Sequence, residues 1–524
     1  SDKNINQSLD VNELLGWLLT QPTLIFDNIN VDWSNVDGET FPVSITSIGL
    51  HNSGNNHVLS GKLYLRKRES DIVEFNLDVT GNWREAEKMR AALYAHVSNI
   101  ELPDWVGEYN IFDKQISEGV GAGKLWAWWE SGRLTRAQLL FQVQNVLLKS
   151  KDGGADDKLN FSYGNLGWEF RGKHNWSLGG DHLLFSFPDH TSNVSQFQLH
   201  KLGKHTDHSK TELWINYLDL QDISRLFIGS AFLPKPVRPL LKDLSMTGTV
   251  RNIKAVLEGD DPSIDSVRAT AHFDNLGFKP LGRMPGLKGF SGRLNWENGR
   301  GDLHILSTNA ELTDNALFLR PIHLTYLQGD INVEKLPDEG YRIRAKQMRG
   351  NNHNVNTYLN ASFDIPKEGS PGINLLASVN LNNLKDVIYY LPTENFSATF
   401  IDWMKQAFVV GKGETTVIWR GALGDHLFPY DAHPSDGTFA LKGSLNDVDF
   451  QINHDWPVFK NVMSEVDVLG SHIKLKVDSG KVLNSTITSL TADIPKIQKG
   501  EAISLQLSGE IDTSGEDLLR YVKE

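Results

Sequence analysis

The sequence predicts a mainly β protein, a long antiparallel sheet with a few short helices. Three observations predict it. The stretch from Thr438 to Ile511 reads as strand after strand, with runs such as Ile473, Leu475, Val477 apolar at every second residue. Few segments anywhere in the chain are apolar at helical spacing. A fainter copy of the stretch lies upstream: Phe278 to Phe450, Pro285 to Pro457 and Leu303 to Leu475 are each separated by 172 residues. Three landmarks at one offset point to a repeated strand-rich unit.

Bulk properties narrow the class. A chain of 524 residues is long enough for roughly two to four ordinary domains, or for one long repetitive one. The net charge of −13 argues against a nucleic-acid binder, which needs a basic face to meet phosphates. The absence of cysteine excludes disulfides, zinc–thiolate sites and thiol nucleophiles. No run of about 18 apolar residues predicts a membrane-spanning helix. The best candidate, Leu14 to Phe26, is broken by Thr20-Gln21-Pro22. A start at Ser1 is read as that of a processed or trimmed fragment, in which any upstream signal or anchor would be invisible.

Taken in order, Val11, Leu14, Leu15, Leu18 and Leu19 predict a short amphipathic helix ended by Pro22. The period then changes to two, through Leu24 and Phe26, then Ile29, Val31 and Trp33, then Val43 and Ile45. Asn52-Ser53-Gly54-Asn55-Asn56 is a turn cluster. Val73, Phe75, Leu77, Val79 form a strand with one apolar and one wet face. Residues 84–97, with Ala86, Met89, Leu93 and Val97 near helical spacing, predict a helix, and with Leu102-Pro103-Asp104 they read as a helical insertion near 84–117. Gly119–Gly123 is expected as a glycine-rich turn, Glu130-Ser131-Gly132 as a hairpin tip, and Gly179-Gly180-Asp181 and residues 201–210 as further turns.

Leu220-Gln221-Asp222-Ile223 matches Leu384-Lys385-Asp386-Val387, and each opens a short helical segment. In the second, Ser397 is the expected N-cap, with Phe400, Met404 and Phe408 on one face. Gly329-Asp330-Ile331 and Gly509-Glu510-Ile511 close the two units, and Val355, Tyr358, Leu359, Phe363, Ile365 form the strand that joins them. The expected organisation is an N-terminal β-rich segment over 1–210, a first repeat over 211–373 and a second over 374–524. Periodicity leaves two architectures open: a closed sandwich, or an open sheet curled so that its apolar face lines a trough.

No catalytic constellation emerges. His200, His205 and His208 could surround a metal, but two lysines and a loop context favour a solvated loop. Gly289-Phe290-Ser291-Gly292 lacks the second glycine of a nucleophile elbow, because Arg293 occupies that place. Neither Gly119–Gly123 nor Gly411-Lys412-Gly413-Glu414 makes a phosphate loop. Acidic pairs such as Asp156-Asp157 and Asp260-Asp261 read as solvated turns, and most of the 14 tryptophans as sheet packing. The residues themselves therefore favour an apolar binding surface. A structural or adhesive β-protein, or a carbohydrate-active enzyme using carboxylate pairs, are the alternatives.

Further landmarks carry a family resemblance. Tyr389-Tyr390-Leu391-Pro392, Trp403, Gly411, Arg420-Gly421, Phe428-Pro429, Gly437, Phe439, Asp449-Phe450 and Trp456-Pro457 resemble the AsmA-like region of the YhdP family. Phe278, Pro280, Pro285-Gly286-Leu287, Gly289–Gly292 and Trp296 resemble that region's first unit, and Leu14–Leu19 is similar to the family's periplasmic start. The resemblance implies a twisted, taco-like repeating β-groove with an apolar concave face. It also implies a non-enzymatic, inner-membrane-anchored, periplasmic protein, without cofactor, that moves phospholipid between inner and outer membranes. The expected partners are then phospholipid acyl chains and, through parts outside this sequence, the two membranes. The expected lipid-lining residues are Val73, Phe75, Leu77, Leu303, Ile305, Leu359, Phe363, Ile473, Leu475, Val477, Leu505 and Leu507.

Overall fold

The computed structural model describes residues 11–34, 40–65, 72–82, 84–106, 110–111, 114–150, 156–173, 175–203, 209–227, 244–259, 263–280, 285–314, 318–391, 393, 397–423, 428–431, 434–452, 454–497 and 504–517. The chain divides into two compact units. The first is Ser1–Arg238 with Arg251–Pro262, and the second is Pro239–Val250 with Ser263–Glu524.

The first unit opens with the helix Val11–Thr20. Pro22 lacks the N–H needed to prolong it, and Asn52 Nδ2 donates to the carbonyls of Leu18 (2.9 Å) and Gln21 (2.5 Å). Strands β1 (Thr23–Ser34), β2 (Thr40–Ser53), β3 (Asn56–Leu65), β4 (Ile72–Thr80), β5 (Arg90–Glu101), β6 (Asn110–Ile111), β7 (Lys114–Glu130), β8 (Arg133–Ser150), β9 (Asp157–Gly172), β10 (Asn175–Ser186), β11 (Ser195–Leu202) and β12 (Lys210–Asp219) follow. Each pairs antiparallel with its neighbour, except that β6 folds back on β7, which itself pairs with β5. Among the described residues nothing pairs β1 with β12, so this sheet is open.

The second unit is built the same way. After β13 (Thr247–Glu258), at the division between the units, come β14 (Val267–Phe278), β15 (Gly286–Glu297), β16 (Arg300–Ser307), β17 (Ala310–Thr313), β18 (Ile322–Leu324), β19 (Tyr326–Lys335), β20 (Tyr341–Asn351), β21 (Val355–Ile365), β22 (Gly372–Leu381), β23 (Phe408–Ala422), β24 (Gly437–Phe450), β25 (Phe459–Leu469), β26 (His472–Val482), β27 (Ser485–Ile494) and β28 (Gln506–Asp512). From β14 to β28 they form one antiparallel meander, with β17 and β18 as a short side branch on β15. β28 is exposed along its whole length. The landmarks spaced 172 apart occupy equivalent places: Phe278 and Phe450 each end a strand, and Leu303 and Leu475 each lie two strands later. An open single sheet in each unit fits the groove rather than the closed sandwich.

Short helices cover one end of each sheet's apolar face. In the first unit Leu102–Val106 and Leu220–Phe227 bring Leu102 and Leu226 onto Ile100, Ile116, Val146, Leu148, Leu159 and Phe187. In the second, a 3₁₀ segment, Leu384–Tyr390, and the helix Ala398–Ala407 do the same. Leu384 joins Leu381, Val448, Phe459, Val477 and Ile487, while Ile388, Phe400 and Met404 pack together. Ser397 caps the latter helix as expected, its Oγ accepting from Phe400 N at 3.2 Å. Phe408 is not on that helix but is the first residue of β23.

Three local expectations are corrected. Residues 84–97 are not a helix: only Ala86–Lys88 turns as 3₁₀, and Arg90–Glu101 is β5, paired on both sides. Met89, Leu93 and Val97 are spaced by four, which keeps residues on one face of a strand as well as of a helix, so the spacing does not discriminate. Gly119–Gly123 is not a turn but the interior of β7. A β-carbon at Gly121 would fall 2.7 Å from Leu102 Cδ2, so glycine is what lets the Leu102 helix approach. Gly179-Gly180-Asp181 likewise lies inside β10, where a β-carbon on Gly180 would meet Phe197 at 2.3 Å. The tip at Ser131-Gly132, both at positive φ, is the expected two-residue hairpin.

Candidate apolar binding surface

Strand register lines alternate residues into unbroken apolar rows. Across the first unit Leu24, Leu50, Leu59, Leu77, Leu93, Ala127, Ala137, Trp168, Leu178, Leu199 and Leu213 are successive cross-strand partners. One residue along from β4 onward, on the other face, the row is Asp78, Ala92, Trp128, Arg136, Glu169, Ser177, His200 and Glu212. In the second unit Met348, Leu359, Ala377, Val417, Leu441, Val468, Ile473 and Ile494 form one such row. The opposite face there carries charge pairs. Arg342 grips Asp364 through two bonds of 2.5 and 2.7 Å, and His304 meets Asp330 at 2.7 Å. The Arg342 guanidinium holds the Asp364 carboxyl below its usual range.

β-Bulges keep the apolar face continuous. Asn99, Asn145, Asn275, Gln347 and Asp447 adopt φ near +50° where the register slips. Each extra residue lets the next apolar side chain, such as Ile100 after Val97, return to the same face.

The sequence-predicted lining residues, Leu505 excepted, fall on these faces. Val73, Phe75 and Leu77 lie opposite Val97, Ala95 and Leu93. Leu303 and Ile305 lie opposite Ile331 and Gly329, and Leu359 and Phe363 opposite Ala377 and Ile373. Ile473, Leu475 and Val477 lie opposite Ile494, Ala492 and Leu490, and Leu507 also opposite Ala492. Leu505 precedes β28. They differ in access. Val73, Ile305 and Val477 are buried, the latter two within packed clusters, whereas Phe75, Leu77, Leu303, Leu359, Phe363, Ile473 and Leu475 are half-buried and Leu505 and Leu507 exposed. Sequence reasoning missed most of the first unit's row, notably Leu59, Leu93, Leu178, Leu199 and Leu213, although period-two alternation was its available signal.

The reactive candidates are accounted for as structure. Ser291 lies within β15 and its Oγ accepts from Asn275 N at 3.0 Å. Gly411–Glu414 lies within β23. His200 is on β11, while His205 and His208, like Asp260-Asp261, lie outside the described residues. Among the described residues no group of three or more His, Asp or Glu side chains could hold a metal, and no helix is long and apolar enough to cross a membrane. One ionic cluster secures the Leu220–Phe227 helix. His190 Nε2 meets the buried Asp222 carboxylate at 2.7 Å, and Arg225 grips Asp189 at 2.8 and 3.0 Å.

A family model described as YhdP protein matches residues 2–524. The chain is 22% identical over 261 residues to an intermembrane phospholipid transporter of Escherichia coli (strain K12), a match that covers 50% of this chain and 20% of that relative. No solved structure matches.

Proposed function

Because the chain belongs to the YhdP family, we propose that it is a periplasmic part of a bridge-like transporter that carries phospholipid between inner and outer membranes. The full-length protein would be held to the inner membrane, and the role is non-enzymatic. Acyl chains would lie along the apolar rows, with head groups left in water. The observation that carries this reading is the unbroken row from Leu24 to Leu213, eleven apolar partners in register without a polar interruption. A surface of that length is worth covering: each buried methylene contributes about 0.8 kcal/mol, so an acyl chain of roughly fifteen carbons gains on the order of 10 kcal/mol. Rows crossing many strands without a dividing polar position suit sliding rather than a single enclosed site. The similarity to an intermembrane phospholipid transporter of Escherichia coli supports the same substrate class.

The test is charge placed in the rows. Leu77→Asp and Leu359→Asp, both at half-buried positions, should lower the phospholipid co-purified with a folded chain. Asp78→Asn, on the opposite face, should not. Equal lipid in all three would sink the reading.

A further inference from the structure

The two ends of each apolar face are chemically unlike. One end is filled by the short helices and their leucines. The other end carries tryptophan on the strands themselves, whereas at the helix end Trp105 and Trp403 belong to the helices and Trp456 packs against the cluster under Leu384. In the first unit Trp129 sits opposite Ala91, next to the Ser131-Gly132 tip, and Trp168 and Trp176 stack at 5.4 Å between centroids beside the β9–β10 hairpin. In the second, Trp296 lies opposite Gly301 beside the β15–β16 tip. Trp419 lies opposite Phe439 near the end of β23, its Nε1 donating to Tyr430 Oη at 3.0 Å. All five are on the apolar face and near the strand end away from the helices. An indole has an apolar body and one N–H donor, so it settles where hydrocarbon gives way to a polar layer.

We propose that phospholipid is carried in one orientation across the strands, its glycerol–phosphate head at the tryptophan-bearing end and its chain termini toward the helix-covered end. This rests on the phospholipid-carrying reading and adds a polarity to it. The indole bodies would pack against the first methylenes, with each ring N–H turned toward the polar head.

A photo-crosslinking phenylalanine derivative placed singly at Trp168, Trp296, Val97 or Val379 tests it, in the whole chain loaded with phosphatidylethanolamine. Mass spectrometry then locates each adduct on the lipid. Adducts on the glycerol or head group from Trp168 and Trp296, and on acyl carbons from Val97 and Val379, are expected. Acyl-terminal adducts from the tryptophan positions, or one adduct pattern at all four, overturn the orientation. No lipid adduct at any position of a folded chain overturns phospholipid carriage itself. If the substituted chains misfold, the native tryptophans serve as probes once Trp105, Trp403 and Trp456, at the helix end, are replaced by phenylalanine. Lipid brominated beside the carbonyl should quench their fluorescence more than lipid brominated at the chain end, and the reverse order refutes the proposal.

Discussion

Leu102 lies over Gly121 so closely that a β-carbon there would sit 2.7 Å from its Cδ2, and Leu384 covers Gly411 and Gly413 in the same manner at 3.2 and 3.1 Å. The likeness extends to the next strand: Val146 stands beside Gly119 as Val448 stands beside Gly411. Leu102 begins a helical segment directly after β5 and Leu384 begins one two residues after β22 has ended, and both share the order Leu-x-Asp with Leu220. Each unit thus uses glycine within a strand to seat a leucine on the apolar face.

Gly121→Ala should therefore lift the Leu102 helix from β7. Forcing a methyl into that contact costs about 1–3 kcal/mol, read as a lower urea midpoint with an unchanged slope. Gly132→Ala, where a β-carbon meets nothing within 4 Å but φ is +70°, should cost less, about 1 kcal/mol.

Tyr430 secures the β23–β24 connection. Its buried hydroxyl donates to Ala422 O at 2.9 Å and accepts from Trp419 Nε1 at 3.0 Å. Tyr430→Phe leaves two half-buried groups, Trp419 Nε1 and Ala422 O, without that partner, so a loss of about 1 kcal/mol is expected in equilibrium unfolding.

The Leu220–Phe227 helix should loosen as pH rises. Burial opposes protonation of His190, yet its hydrogen bonds to Asp222 and Asp189 prevail, and its pKa lies above 6.5. Burial, then the charge of Asp219, raises the pKa of Asp222 above 3.8. Both groups bind a proton more tightly when folded, so their contributions are complete at low pH and lost with rising pH, from 6.5 upward for His190. Asp189 runs the other way. The bond from Arg225 holds it well below 3.8, so its contribution is present throughout the neutral range and lost only in acid. Hydrogen exchange in this helix, corrected for intrinsic rate, should be faster above pH 6.5 than below it, and His190→Gln should abolish the difference.

Leu475 and Val477 should separate binding from folding. Both are on the apolar face of β26, but Leu475 is half-buried and Val477 lies in the packed cluster under Leu384. Leu475→Asp should fold and carry less phospholipid, while Val477→Asp should fail to fold, because a charge cannot be left unpaired there. Circular dichroism with phosphorus analysis separates the two outcomes.

Much of this was legible in residue types. Period-two alternation marked β4, β21 and β26, and turn chemistry marked the Ser131-Gly132 tip. What stayed hidden depends on contacts between distant residues. Gly119–Gly123 reads as a turn until Leu102 is placed over it. Residues 84–97 read as a helix because a spacing of four suits both periods. Bulges such as that at Asn99 break the alternation in sequence while preserving the face in space. The tryptophans read as sheet packing because nothing in the sequence says at which end of a strand, or on which face, each one stands.

The most direct measurement is native mass spectrometry of the chain, gently purified from a Gram-negative host. Folded chain carrying phospholipid, with the bound lipid diminished by Leu77→Asp and Leu359→Asp, is the expected result. A folded chain that emerges empty, and stays empty when phosphatidylethanolamine is supplied, would contradict a phospholipid-carrying face.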